Sequence, residues 1–228
     1  VRISIVVPAL NEAANIVRAL ERLQPLRARG HEVIVVDGGS GDGTAALAGS
    51  HADWVLRAPR GRSRQMNAGA RAANGEVLLF LHADTRLPAD ADLLILQGMR
   101  RSGGTWGRFD VAIEGCHWML SVVAWSMNVR SRLTSVCTGD QALFVERAVF
   151  DRVGGYPEID LMEDIALSKA LRRVGPPLNL RDCVTTSGRR WERHGVWRTI
   201  ALMWWLRLRY FLGAAPAVLR RAYETDER

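Results

Sequence analysis

Two acidic positions, far apart in the chain, sit where group-transfer chemistry would need them. The first is Asp84, which follows the apolar run Leu78-Leu79-Phe80-Leu81 after His82-Ala83. Such a run reads as a strand buried on both faces. Asp84 then lies just past the strand's C-terminal end, the edge where open α/β sheets bind ligands. A carboxylate there can hold a divalent cation against a phosphate, or it can cap a turn. The second position is Glu163-Asp164, at the start of a stripe formed by Leu161, Ile165 and Leu171. Acidic residues in a first helical turn commonly answer the helix dipole; the chemical alternative is a general base aimed at an acceptor hydroxyl. Arg189-Arg190-Trp191 puts two guanidinium groups beside an indole. It reads either as a surface triplet or as a place to hold a diphosphate and stack an acceptor. The loop Asp37-Gly38-Gly39-Ser40-Gly41-Asp42-Gly43 is rich in glycine, but it follows the second strand pattern, and a dinucleotide fingerprint belongs after the first.

The elements that must carry these residues alternate through the first half of the chain. Strand patterns at residues 3–8, 33–36, 54–56 and 76–81 are separated by helical patterns. One helix would be capped by Asn11, with Ile16, Leu20 and Leu23 buried; others cover 44–48, 63–73 and 89–100. Repeated β-α-β units with short links predict an α/β fold with a mostly parallel central sheet flanked by helices. The second half is less regular. Residues 106–113 and 142–145 read as strands, 116–136 as a helix or mobile apolar segment, and Gly175-Pro176-Pro177 as a helix stop. Residues 197–221 read as one long apolar helix. With no repeat and no low-complexity linker, a single domain is the simplest reading. It divides into a nucleotide-binding half (1–110), an acceptor and catalytic half (111–195) and a C-terminal helical segment (196–228).

Composition narrows the classes. The chain has 228 residues, 48% hydrophobic, with a formal net charge of +7 and Lys169 as its only lysine. That is a folded chain with room for one sizeable core. Its positive charge is almost all arginine, which suits phosphate and equally fits nucleic acid or anionic lipid. Cys116, Cys137 and Cys183 form no paired motif, which favours a reducing, cytoplasmic setting over a disulfide framework. No uncharged stretch reaches the roughly 18 apolar residues of a bilayer span. Trp197, Ala201, Trp204, Leu208 and Phe211 fall near one helical face, punctuated by Arg198, Arg207 and Arg209. Two readings stand for that face: packing in the core or in a homodimer, or peripheral contact with an anionic membrane.

Taken together and in order, Pro8-Ala9-Leu10-Asn11-Glu12, Val36-Asp37-Gly38-Gly39-Ser40 with Asp42-Gly43-Thr44, His82-Ala83-Asp84 and Met162-Glu163-Asp164 resemble the inverting family-2 glycosyltransferases of the GT-A fold, a Rossmann-like architecture. Gly154-Gly155-Tyr156 also fits, and the likeness covers roughly residues 1–195. The His82-Ala83-Asp84-Thr85 and Arg189-Arg190-Trp191 segments look most like a small bacterial branch, some of whose members are assigned to arsenosugar biosynthesis. The resemblance implies a nucleotide-sugar donor, UDP-sugar favoured, a hydroxyl acceptor, and Mn2+ or Mg2+. It implies that Pro8, Ala9, Asn11, Glu12, Asp37 and Gly38 line the base and ribose pocket, with Asp37 accepting from a uracil N–H. Arg60, Arg64, Gln65 and Asn67 would face the nucleotide, together with His82, Ala83 and Arg190. Asp84 would bind the metal as the last acid of the family's D-x-D motif, whose first acid is here His82. Asp164, with Glu163 beside it, would be the catalytic base. Gly139, Asp140 and Trp191 would face the acceptor. The family's Q-x-x-R-W motif has no Gln here, since positions 187 and 188 are Ser187 and Gly188. Two other classes remain in view: a sugar-phosphate nucleotidyltransferase, which would want a basic Gly-rich loop after the first strand, and a nucleic-acid-binding module, for which no familiar motif is present and whose ligand is not expected here.

Overall fold

The apolar runs become the centre of the molecule. In the computed structural model, which describes residues 1–225, β1 (Ile3–Ala9), β2 (Glu32–Asp37) and β4 (Val77–Phe80) lie side by side. Every residue of β2 and β4 is buried. Parallel strands covered on both faces require this, because neither side chain of a pleated pair can point to water. β3 (Trp54–Arg57) adds a more exposed parallel edge. The full sheet has eight strands in the order β3-β2-β1-β4-β7-β6-β8-β5. Beyond β4 it turns mixed. β7 (Phe144–Glu146) runs antiparallel to both β4 and β6 (Trp106–Glu114), β8 (Leu178–Ser187) runs parallel to β6, and β5 (Thr85–Arg86) runs antiparallel to β8.

One face of the sheet is covered by α1 (Ile16–Glu21), α2 (Gln24–Ala28), α3 (Thr44–Ala48) and α5 (Ala91–Ser102), whose apolar residues join Ile3, Ile5, Val33 and Leu79 in one core. The other face carries α4 (Arg62–Ala72), α7 (Arg147–Arg152) and α8 (Glu163–Leu171), packed on Val6, Ile34, Leu78 and Phe80. Gly69 lets α4 approach closely: a Cβ there would stand 2.4 Å from a Val6 methyl. A third, smaller cluster joins α6 (Met119–Thr134) to the helices that follow β8, through Met119, Leu120, Val196 and Ile200.

Three sequence expectations change. Asn11 does not cap a helix: it sits at φ 54°, and α1 begins only at Ile16. The β8 and β5 strands were not foreseen. The apolar stretch at 197–221 is not one helix but two, α10 (Val196–Phe211) and α11 (Pro216–Thr225), preceded by the short α9 (Arg189–His194). Gly213 at φ 89° and Pro216 make the break. The last three residues of the expected 196–228 segment lie outside the described residues. Among the described residues, no helix is long and apolar enough to cross a membrane.

Candidate active site

Because β1, β2 and β4 are parallel, their C-terminal ends share one edge, and the loops leaving them are sewn together there. Asp37, 1% exposed, accepts the N–H groups of Gly39 and Ser40 at 3.1 Å. Asn11 donates its N–H to the Ser40 hydroxyl at 2.9 Å and accepts from Gly41 N–H at 3.0 Å. The Glu12 and Ala13 N–H groups bond the Thr44 hydroxyl and the Asp42 carboxylate. The Thr44 hydroxyl in turn donates to Asp42, and that bond first, then the Ala13 N–H, holds the Asp42 carboxyl below its usual range. The expected base-and-ribose residues Pro8, Ala9, Asn11, Glu12, Asp37 and Gly38 therefore form one continuous wall.

The basic segment after β3 divides its labour. Gln65 is buried, and its amide donates to the Ala9 and Val36 carbonyls at 2.8 Å each, stapling β1 to β2. Asn67 spends both ends of its amide on the Tyr156 backbone. These two side chains brace the wall rather than face a ligand. Arg60 is exposed, and Arg64 lies 3.7 Å from Glu158.

The second half of the site is built where β4 meets β7. Leu79 pairs with Phe144, so the 3-10 turn Gly139–Gln141 that leads into β7 falls directly beyond the end of β4. This brings His82 against Gly139 and Asp140, with His82 Nδ1 3.6 Å from the Asp140 carboxylate. A Cβ on Gly139 would lie 2.3 Å from the His82 ring and 3.0 Å from Asp164 Oδ2. Gly139 N–H donates to Asp164 Oδ2 at 2.8 Å, while Asp164 Oδ1 is buried with no hydrogen-bond partner among the described residues. His82, expected on the nucleotide side, thus stands with the residues expected to face the acceptor.

Charge in this cluster is strongly perturbed. Burial and the adjacent Glu163 carboxylate raise Asp164 to about 7, against the opposing pull of His82, Arg62 and the Gly139 N–H. Burial lowers His82, but the hydrogen bond and charge of Asp140 more than reverse it. Burial raises Asp140, and His82 and Arg62 bring it back below its usual range. The Arg62 side chain is exposed, and its guanidinium is pushed up, against some desolvation, by Tyr223 first and then by Glu163, Asp164 and Asp140. Tyr156 is pushed well up by burial and then by the Asp164 charge. Sequence reasoning gave no role to Arg62 and Tyr156, which are electrostatically coupled to Asp164. Gly154-Gly155-Tyr156 was a visible segment, but nothing in sequence separates Arg62 from Arg60 and Arg64.

Asp84 is exposed, and the Thr85 hydroxyl approaches its carboxylate at 3.4 Å. Among the described residues no group of three or more His, Cys, Asp and Glu side chains could enclose a metal. The donor set is therefore a single open carboxylate. That suits a hard cation taking most of its oxygens from a diphosphate, as Mg2+ does in nucleotide sites. Arg190 lies with its guanidinium carbon 3.9 Å from the centre of the Tyr223 ring on α11. Trp191 packs against the Met119, Leu120 and Val196 cluster, at the border between the site and the C-terminal helices. An open groove of about 530 Å3 between α8 and the α10–α11 turn is lined by Pro157, Ile159, Lys169, Tyr210 and Phe211. Among the described residues its lining carries no carboxylate.

Comparison with known proteins agrees with this geometry. An uncharacterized glycosyltransferase of Mycobacterium tuberculosis strain H37Rv is 27% identical over 168 residues, covering 68% of this chain and 75% of its own. The crystal structure of Staphylococcus aureus TarS (residues 1–349) in complex with UDP-GlcNAc superposes with a TM-score of 0.67 at 17% identity, covering 82% of this chain and 58% of that one. The mannosyltransferase PcManGT of Pyrobaculum calidifontis, in complex with GDP-Man and Mn2+, gives a TM-score of 0.67 at 18% identity over 97% of this chain and 68% of its own. This chain thus spans less than two-thirds of the TarS chain. The fold is that of the GT-A glycosyltransferases. The profile described as glycosyl transferase family 2 matches residues 4–143, more than half of the sequence, and the chain is an enzyme that belongs to that family.

Proposed function

We propose that the chain transfers a sugar from a nucleotide-diphosphate donor, a UDP-sugar favoured, to an acceptor hydroxyl with inversion, and that Asp164 is the general base. The observation that carries this reading is Asp164 itself. It stands at the start of α8 with one oxygen held by Gly139 N–H and the other buried and without a partner among the described residues, its pKa pushed up to about 7. A base tuned near neutral pH and oriented by a backbone amide suits abstraction of a hydroxyl proton.

On this reading the acceptor oxygen attacks the anomeric carbon from the face opposite the nucleotide. Its proton passes to Asp164 Oδ1, and the bond to the diphosphate breaks with the electron pair leaving on the phosphate oxygen. The positive charge of Arg62 favours the ionised form of the base. Arg190 would answer charge developing on the leaving diphosphate. Asp84 would hold Mn2+ or Mg2+, and a cation bound there would neutralise diphosphate charge. The wall from Pro8 to Glu12 and Asp37 to Gly38 would take the base and ribose. The His82-Ala83-Asp84-Thr85 and Arg189-Arg190-Trp191 segments support membership of the small bacterial branch described above. The structural neighbours with bound UDP-GlcNAc and GDP-Man support a nucleotide-sugar donor and leave the preference for uridine to be tested directly.

Asp164→Asn tests the assignment. Transfer should fall by about three orders of magnitude or more, as expected when a general base is removed along with its charge. Thermal-shift response to UDP, GDP, CDP and dTDP, with and without Mn2+, should persist. Wild-type turnover in this variant would remove Asp164 from the role, and no response to any nucleotide in the parent protein would remove the donor class.

A further inference from the structure

The face that α10 turns outward is apolar for its whole length. Trp197, Ala201, Trp204, Leu208 and Phe211 follow one another at helical spacing, and Trp204 is 72% exposed. Val196, Thr199 and Leu206 bury the opposite face. A second exposed stripe, Trp118, Val122 and Trp125, runs along α6. The two helices are joined at their N-terminal turns, where Met119 and Leu120 pack on Val196 and Ile200. The stripes therefore flank one shared contact and hold five of the chain's eight tryptophans, Trp118, Trp125, Trp197, Trp204 and Trp205. Exposed apolar surface of this extent marks an interaction site.

Charge identifies the partner. No Asp or Glu occurs between residues 115 and 139 or between 193 and 223, while Arg193, Arg198, Arg207, Arg209, Arg220 and Arg221 fall in the second stretch. Arg198 and Arg209 are exposed beside the tryptophans, and Arg209 lies 5.6 Å from the Trp205 ring centre. A twofold dimer would bury the same patch on both copies, setting these arginines against one another with no carboxylate on either helix to pair them. Tryptophan and arginine around an apolar stripe are instead what a helix lying in a headgroup layer presents.

We propose that the joined faces of α6 and α10 dock on an anionic bilayer surface, with both helices lying along it. This surface stands independently of the transfer reaction. The test is flotation of the intact protein with phosphatidylcholine vesicles, with and without about a third phosphatidylglycerol. Binding should require the anionic lipid and weaken as salt rises. Each of Arg198→Gln and Arg209→Gln should weaken it about fivefold, and Trp197→Ser with Trp204→Ser roughly tenfold or more. These positions are exposed, so the variants should keep the parent's melting temperature. In the unsubstituted protein, brominated acyl chains should quench tryptophan fluorescence. Failure to float with anionic vesicles, or equal flotation of the arginine variants, would overturn the proposal. So would sedimentation showing a dimer that the tryptophan variants dissolve, which would give the surface to a second copy.

Discussion

Glu163→Gln isolates the electrostatic part of the site with almost no change of shape. Glu163 is 3% exposed and adjoins Asp164, whose carboxyl rises from 3.8 to about 7. Burial is the largest cause of that rise and the Glu163 charge the next. Removing the charge should leave most of the rise and take away about one pH unit, or about 1.4 kcal/mol. The base acts only when ionised, so the wild-type rate should climb as pH passes through about 7. The limb of the variant should lie about one unit lower. At pH 6 that means about half of the base ionised instead of about a tenth, a gain of roughly fivefold relative to each enzyme's own plateau. Stability should move with it. A carboxyl raised on folding contributes stability that is complete below its unfolded pKa of 3.8 and is lost as pH rises through about 7. The variant should thus gain up to about 1.4 kcal/mol over the parent at pH 8 relative to the difference at pH 5. Nucleotide release measured across the pH range, with paired thermal melts, reads both. A limb that stays in place or moves upward would refute the electrostatic account.

Other predictions concern neighbouring positions. Arg62→Met removes a positive charge that favours ionised Asp164, so the same limb should shift to higher pH. Gly139→Ala forces a methyl to within 2.3 Å of the His82 ring; turnover should fall at least tenfold, as expected when a small misplacement disturbs a reacting geometry, and overpacking should lower stability by roughly 1–3 kcal/mol. Asp84→Ala should abolish the extra calorimetric heat that Mn2+ adds to nucleotide binding while sparing metal-free binding. Gly69→Ala should lower stability by roughly 1–2 kcal/mol, since a Cβ 2.4 Å from Val6 overpacks the α4–β1 contact while helix propensity offsets about 1 kcal/mol.

How far the sequence could be read follows from where each element finds its partners. β1, β2 and β4 are legible because burial on both faces demands continuous apolar runs such as Val33-Ile34-Val35-Val36. β8 is not, because Arg181, Asp182 and Cys183 are exposed in its middle and its register against β6 slips there, so no continuous apolar run marks the strand. The break between α10 and α11 was written in Gly213 and Pro216, but the apolar residues on both sides outweighed it. Asn11 resembles a helix cap and instead takes Gly41 N–H, a partner 30 residues away that no local pattern announces. In the site, Asp84 and Asp164 were visible as acids at element ends. The turning of His82 toward Asp140 was not, because it depends on an antiparallel strand entering beside β4.

The groove beside α8 has a practical side. Lys169, with its amine 4.8 Å from the Phe211 ring centre, is the only lysine in the chain. An amine-reactive fluorophore can therefore attach at one side chain of this sequence. It would sit on α8, which carries Asp164 in its first turn, against the turn that leads into α11. Its emission would make movement between those two elements visible without any engineered cysteine.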